Sequence, residues 1–129
     1  MGKIPFSGPA ERGRWGEQQA ALYLRGRGYR LLAAGFKTRL GELDLVAEKD
    51  GVVAVVEVKT RSGYCFARGV EAVSPRKLAR MKAAAAEFMA ARNDPRPVRF
   101  DVAEILAGDC RDDPPRELNY YENVYTELA

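Results

Sequence analysis

The chain has 129 residues, of which 47% are hydrophobic and 30% charged, and it carries a net charge of +3 with no histidine. This length allows one domain with a substantial core, and no apolar run approaches the roughly 20 residues that span a bilayer. Without histidine, Ser-His and Cys-His nucleophiles are excluded and zinc is a poor candidate. Any metal must therefore be held by oxygen, which favours Mg²⁺ or Mn²⁺. The N-terminus has no apolar signal segment, and we expect a cytoplasmic protein.

Charge is strongly segregated along the chain. Residues 1–40 carry a net charge of +6, residues 41–60 carry −3, residues 61–100 carry +6 and residues 101–129 carry −6. An acidic centre between two basic segments is the pattern expected of a metal site beside a polyanion. Solvated helix faces explain much of the Lys and Arg content equally well, so charge alone leaves both interpretations open.

Periodicity and turn residues predict a flexible segment over residues 1–10, followed by a single domain over residues 11–129. Ser74 is a good N-cap, and Pro75 suits the first position of a helix. The segment 61–72 contains glycines and aromatics and is predicted to be a loop. In chain order we expect a helix from Pro9 or Glu11 to about Arg25, strands over 29–36, 40–48 and 52–59, a helix from Ser74 to about 93, a strand over 98–105 and an edge strand over 118–124.

The second and third predicted strands form a hairpin whose register follows from its turn. Asp50-Gly51 is a strong signal for a two-residue type I′ turn, which pairs the residues on either side of it. In that register Asp44 lies opposite Glu57, and Glu42 lies opposite Lys59 on the same face.

Two carboxylates directly opposed on one face repel each other, and the pair destabilises the sheet unless a cation lies between them. A divalent metal bound by Asp44 and Glu57, with Lys59 two residues along from Glu57, resolves the conflict. The alternative is a half-exposed hairpin whose charges are solvated, with a weak ion pair between Glu42 and Lys59. The cost of opposed like charges favours the metal site.

These residues resemble a known family. The order αβββαβ, with an acid on the second strand and Glu-x-Lys on the third, looks like the PD-(D/E)XK nuclease superfamily, and the whole chain looks most like the YraN-like family of predicted endonucleases. The resemblance implies an α/β, restriction-endonuclease-like core with a mixed sheet flanked by helices. The matching stretches are Gly16-Glu17-Gln18-Gln19-Ala20, Gly41-Glu42-Leu43-Asp44-Leu45, Val56-Glu57-Val58-Lys59-Thr60-Arg61, the basic helix after Ser74, and Arg99-Phe100-Asp101.

The resemblance also implies roles. Asp44 and Glu57 would bind Mg²⁺ or Mn²⁺ together with the backbone carbonyl of Val58, and Lys59 would orient or activate the attacking water. Glu17 matches a helical acid of the branch that resembles archaeal Holliday-junction resolvases, although an acid in the first turn of a helix also suits the macrodipole. The chain departs from the pattern at Leu43, where the superfamily's name has proline, and at Gly35, where the family has asparagine.

Basic residues near these motifs are the expected contacts for the phosphate backbone of a nucleic acid. They are Arg39, Arg61, Lys77 and Arg80. Aromatic residues such as Trp15, Tyr64 and Phe66 would stack on bases in a nucleic-acid binder, but core or loop packing is the commoner use of such residues.

The sequence therefore predicts a metal-dependent endonuclease acting on nucleic acid, with DNA favoured and branched structures as a plausible substrate. The alternative is a nucleic-acid-binding module that keeps the fold and its acids with little turnover. A protein-interaction role for the acidic C-terminal segment rests on charge alone. A homodimer would suit a symmetric junction, although nothing in the sequence requires one.

Overall fold

The computed structural model of the protein describes residues 2–62 and 74–124. The order of elements is helix, three strands, helix, two strands. Their bounds are α1 Pro9–Gly26, β1 Arg30–Lys37, β2 Glu42–Lys49, β3 Val52–Ser62, α2 Pro75–Ala91, β4 Val98–Ala107 and β5 Glu117–Tyr121.

The five strands form one mixed sheet in the order β1-β2-β3-β4-β5. Strand β3 pairs with β4 in parallel, and the other neighbours pair antiparallel. The parallel pair needs a crossover connection, and α2 lies within it. The predicted α/β fold with a mixed sheet flanked by helices is confirmed.

Each helix covers one face of the sheet, which gives the domain two cores. Helix α1 packs on one face through Trp15, Ala20 and Leu24. Helix α2 packs on the opposite face through its own apolar stripe, which includes Leu78 and Met81. The middle of β3 is buried on both faces, which explains its continuous run of valine and alanine. Trp15 is a core residue, as predicted.

The hairpin between β2 and β3 has the predicted turn and register. Asp50 and Gly51 both have positive φ, at 52° and 79°, as a type I′ turn requires. The pairing runs from Lys49 opposite Val52 to Leu45 opposite Val56, so the next facing positions are Asp44 and Glu57.

Two strands, β3 and β5, end three residues away from their predicted ends. Strand β3 continues to Ser62, because its parallel pairing with β4 extends to Ala107, and Arg61 therefore lies in a strand rather than a loop. Strand β5 ends at Tyr121, because Asn123 adopts a positive φ of 55° and its N–H donates to Asp101 at 2.8 Å. The rest of the predicted loop, with Tyr64 and Phe66, lies outside the described residues.

The segment before α1 contacts the connection between β4 and β5. Pro5 forms an isolated bridge with Cys110, and the N–H of Phe6 donates to the carbonyl of Asp109 at 3.3 Å. The Phe6 ring packs edge-on against Trp15, with centroids 5.3 Å apart. The flexibility of residues 1–10 stays a prediction.

Candidate active site

Helix α1 approaches the sheet most closely at Gly16. A Cβ on Gly16 would lie 1.8 Å from Oγ1 of Thr60, so only glycine fits this packing without a shift of the threonine. The next residue of the helix, Glu17, lines the cleft at the end of β3. Gly16 thus allows α1 to lie against Thr60, and this contact places the carboxyl group of Glu17 in the cleft.

The connection between β1 and β2 makes a second close contact, with helix α2. A Cβ on Gly41 would lie 2.7 Å from the carbonyl oxygen of Arg80, so glycine is needed where this connection meets the helix backbone. Asp44 follows three residues later in β2. On the preceding strand, Gly35 has a φ of 65°, in the left-handed region that glycine and asparagine tolerate best, which explains why either residue suits the position.

These elements enclose a cleft of about 320 Å³ beside the C-terminal half of β3, the central strand. The cleft contains five of the predicted site residues with a catalytic or metal-binding role, together with Lys77. Its lining is Pro9, Arg12, Gly13, Glu17, Asp44, Glu57, Val58, Lys59, Thr60 and Lys77. The cleft brings together side chains from α1, β2, β3 and α2.

Asp44 and Glu57 are adjacent in this cleft, as the register predicts. Glu57 is only 3% exposed. The backbone N–H of Val58 donates to Oδ2 of Asp44 at 2.9 Å. Because the N–H and C=O of a residue in an extended strand point to the same side, the Val58 carbonyl is also directed toward Asp44.

Two lysines contact Glu57. Nζ of Lys59 lies 3.3 Å from Oε2 of Glu57, and the ammonium group of Lys77 makes a closer ion pair with the same oxygen. Lys59 thus pairs with Glu57 on its own strand, and not with Glu42 on the neighbouring strand. Lys77 reaches the cleft from the first turn of α2, which the side chain of Ser74 caps.

The two carboxyl groups have opposite pKa shifts. Burial, followed by the hydrogen bond and charge of Glu57, raises the pKa of Asp44 to about 8. Burial also opposes ionisation of Glu57, but its hydrogen bonds with Asp44 and Lys77 outweigh this and hold its pKa below the ordinary value. The pair therefore shares one proton at neutral pH, as expected of close carboxyl groups that lack a full set of cationic partners.

The electrostatics of the other members follow from the same pair. Burial lowers the pKa of Lys77, but the hydrogen bond and charge of Glu57 reverse this and raise it overall. Burial, together with the charges of Glu42 and Glu57, raises the pKa of Glu17. Glu17 lies about two turns into α1, which starts at Pro9, so the explanation of Glu17 as a first-turn acid that suits the macrodipole is wrong.

The predicted nucleic-acid contacts fall in three places. Arg39 and Arg80 are exposed and lie on the two segments that meet at Gly41. Lys77 lies inside the cleft. Arg61 lies on β3 beyond Lys59 and pairs with the buried Glu104, its Nε being 3.6 Å from Oε2 of that residue.

The donor set of the cleft fits a hard divalent cation. Asp44 and Glu57 provide adjacent carboxylate oxygens, the Val58 carbonyl is directed to the same side, and both lysines pair with Glu57, so that no described cation pairs with Asp44. Within residues 2–62 and 74–124, no three Asp, Glu, Cys or His side chains converge closely enough to hold a metal. Water and phosphate oxygens would complete the coordination, as is usual for Mg²⁺.

Sequence reasoning missed two features of this region. The first is the ion pair of Lys77 with Glu57, although a lysine in the first turn of a helix opposes the macrodipole and is a detectable signal. The second is Glu104, a charged residue in the otherwise apolar run 102–107 of a central strand. Both signals are local conflicts between residue type and position.

An α/β domain with a mixed sheet between two helices, and a cleft holding acids and lysines beside the central strand, is compatible with a restriction-endonuclease-like core. The chain belongs to the family described as "Uncharacterised protein family UPF0102", whose model matches residues 16–105, and the predicted YraN-like membership is thereby confirmed. Within the described ranges, neither helix is long and apolar enough to cross a membrane.

Two relatives illustrate the extent of the similarity. The chain is 43% identical to a UPF0102 protein of Syntrophomonas wolfei over 118 residues, which cover 89% of this chain and 97% of that protein. It is 45% identical to a UPF0102 protein of Thermus thermophilus over 103 residues, which cover 80% and 89% of the two chains. The matched family region, residues 16–105, includes every predicted site residue.

Proposed function

We propose that this protein is a metal-dependent endonuclease that hydrolyses phosphodiester bonds in nucleic acid, with DNA as the favoured substrate and branched DNA as the first structure to test. One observation carries the proposal. Asp44 and Glu57, separated in sequence, lie side by side in a cleft with Lys59 and Lys77, and no described cation pairs with Asp44. Adjacent charged groups without a full set of partners are typical of functional sites.

Asp44, Glu57 and the Val58 carbonyl would hold Mg²⁺ or Mn²⁺. When bound, the metal would polarise a phosphoryl oxygen and lower the pKa of a bound water. Lys59 would orient the attacking water and stabilise the negative charge that develops on the phosphate, and Lys77 would add a second positive charge at the same place. Glu17, which lines the same cleft from α1, would act on protons near the reacting groups.

The basic residues outside the cleft would hold the substrate. Arg39 and Arg80 form an exposed basic patch beside the cleft, and Arg61 extends the line of Glu57 and Lys59 along β3. These contacts would position the phosphate backbone without reading its sequence. We further propose that the enzyme acts in the cytoplasm, as a homodimer on symmetric junctions.

A second candidate function has one observation in its favour. Glu57 is already neutralised by Lys59 and Lys77, so the cleft tolerates its acids partly without a metal. The same fold would then serve as a nucleic-acid-binding module with little turnover. The two functions differ in the role of Asp44, because only the nuclease needs this acid to hold the metal for cleavage, whereas its loss would leave a pure binder intact.

The test is a cleavage assay with Mg²⁺, Mn²⁺ or EDTA on single-stranded, duplex, flapped and four-way-junction DNA and on matched RNA. Asp44→Asn should reduce metal-dependent cleavage at least about a thousandfold, and it should preserve or strengthen binding measured by gel shift. The matched control is Asp50→Asn, the same change at an exposed position in the turn of the same hairpin, which should cleave like the wild type. Binding of these substrates without metal-dependent cleavage would instead establish the binding module.

A further inference from the structure

Glu104 is a buried acid that the proposed chemistry has not used. It is 1% exposed, and its neighbours along β4 are buried apolar residues, whereas Lys59 and Asn119 lie opposite it on the adjacent strands. Its Oε2 atom has no hydrogen-bond partner among the described residues. A buried carboxylate without such partners is costly, so a residue of this kind needs a specific explanation.

The charged group that Glu104 does face is Arg61. Nε of Arg61 lies 3.6 Å from Oε2 of Glu104, slightly beyond hydrogen-bond length. This nitrogen is buried and, within the described residues, also lacks a hydrogen-bond partner, whereas the Arg61 side chain as a whole is 32% exposed. The inner nitrogen of the guanidinium is therefore directed at the buried acid, and the exposed part of the side chain lies elsewhere.

The strand register places this pair beside the candidate active site. Glu104 is directly opposite Lys59 in the parallel pairing of β3 with β4. Glu57, Lys59 and Arg61 alternate along β3 and share one face, and two residues along a strand span about 6.6 Å. Arg61 therefore stands one step beyond Lys59, on the side away from Glu57.

We propose that Glu104 is a positioning residue that holds the Nε of Arg61, so that the terminal nitrogens of the guanidinium bind a phosphate of the substrate next to the scissile one. The inference rests on the proposed function, because it assigns a contact to the substrate of that site. A guanidinium has five donors in a fixed fork, and fixing it at Nε leaves the terminal nitrogens for bidentate contact with phosphate. The 3.6 Å separation shortens to a hydrogen bond when phosphate is bound, as contacts in substrate-free sites commonly do.

The proposal predicts a change in nucleic-acid affinity opposite to the change expected from net charge. Removing an acid near a nucleic-acid site normally strengthens binding, because the protein becomes more positive. Glu104→Gln should instead weaken binding about tenfold, because Arg61 loses the carboxylate charge that holds it and keeps only a neutral amide acceptor. The buried amide occupies the same volume as the carboxyl group, so packing is retained.

The experiment measures binding of a fluorescein-labelled four-way junction and of a labelled duplex by anisotropy, in EDTA so that no cleavage interferes. The variants are Glu104→Gln, Arg61→Lys and the double variant, with Glu87→Gln, an exposed acid on α2, as the matched control. Arg61→Lys keeps the charge but lacks Nε, so it should weaken binding by a similar factor. In that background Glu104→Gln should have no further effect, and Glu87→Gln should bind as tightly as the wild type or more tightly.

Three results would overturn the proposal: tighter or unchanged binding by Glu104→Gln, unchanged binding by Arg61→Lys, or additive effects in the double variant. If Glu104→Gln does not fold, as judged by thermal unfolding, Arg61→Lys alone decides, and wild-type affinity in that variant refutes the inference. Failure of the proposed function gives a different result, in which the wild type itself neither binds nor cleaves any nucleic acid.

Discussion

Among the described residues, the acids of the cleft and the acid Asp101 form two clusters whose hydrogen bonding differs. The first is the active-site cluster, formed by Asp44, Glu57, Lys59 and Lys77. The second, which we name the Asp101 cluster, is centred on Asp101 at the start of β4, with Arg99, Tyr29 and Tyr120 around it. Both contain acids that are removed from water, but only one of them is fully satisfied.

Asp101 is 0% exposed, and both of its carboxylate oxygens have donors. Nε of Arg99 donates to Oδ1 at 2.9 Å, the hydroxyl of Tyr120 donates to Oδ2 at 2.5 Å, and the N–H of Asn123 donates to Oδ1 at 2.8 Å. Arg99 also donates to the Tyr29 hydroxyl. Asp101 therefore ties the start of β4 to the end of β5 and, through Arg99, to Tyr29 just before β1.

The active-site cluster lacks this balance. Asp44 receives one backbone N–H and faces another carboxyl group, and the pair keeps a proton at neutral pH. A buried acid whose oxygens all accept hydrogen bonds stabilises a fold. A buried acid without a full set of partners is expected where a protein needs that acid for its function. The comparison assigns stability to the Asp101 cluster and chemistry to the active-site cluster, and each assignment has a different mutational signature.

The largest effect is expected at the Asp101 cluster. Asp101→Asn should destabilise the protein by about 3 kcal/mol, because it leaves the Arg99 guanidinium without its carboxylate. The melting temperature should fall by roughly 10 °C. Thermal unfolding followed by circular dichroism measures the change, and Asp109→Asn, an exposed acid just beyond β4, serves as the control. A melting temperature within about 2 °C of the wild type would remove the distinction between the clusters.

The same change in the active-site cluster should act in the opposite direction. At pH 8 and without metal, Asp44→Asn should raise the melting temperature by roughly 3 °C, because the amide donates to Glu57 without adding a second negative charge. The variant that loses cleavage would thus be more stable than the wild type, as is common when a functional site is neutralised. A loss of stability like that of Asp101→Asn would show that Asp44 is structural.

Sequence reasoning could locate the active-site cluster because its key geometry is local. The turn at Asp50-Gly51 fixes the hairpin register, and the register alone places Asp44 opposite Glu57. The positions of Glu17 and Lys77 depend on how closely α1 and α2 approach the sheet, which Gly16 and Gly41 permit. Such packing distances are not encoded in periodicity, so the cleft wall and the ion pair of Lys77 with Glu57 required the structure.

The Asp101 cluster was beyond sequence reasoning for a related reason. The stretch Arg99-Phe100-Asp101 contains one pair of partners, but Tyr29 and Tyr120 lie on elements far from it in the chain, and no local pattern links them to Asp101. The extra length of β3 had the same cause, because the pairing partner of Arg61 and Ser62 lies in β4. Local patterns thus predicted the elements and the hairpin, whereas contacts between distant elements were missed.

The smallest predicted effect is a pH dependence specific to Asp44. Its pKa is about 8 in the folded protein against an ordinary value of 3.8, so the folded state holds a proton that the unfolded state has released between these values. Stability that this proton provides is complete below about pH 4 and is lost as the pH rises toward 8. The shift of Glu57 acts in the other direction, but only at lower pH, near and below its ordinary value of 4.5.

The stability gain of Asp44→Asn over the wild type should therefore grow steadily as the pH rises from 5 to 8. Urea unfolding of both proteins at each pH measures this difference, and the contributions of groups that do not interact with Asp44 cancel because the two chains share them. Added Mg²⁺ should stabilise the wild type more at pH 8 than at pH 6, because metal binding displaces the shared proton. A gain that stays constant with pH would show that Asp44 is ionised throughout, and the contrast between the two clusters would then lose its electrostatic basis.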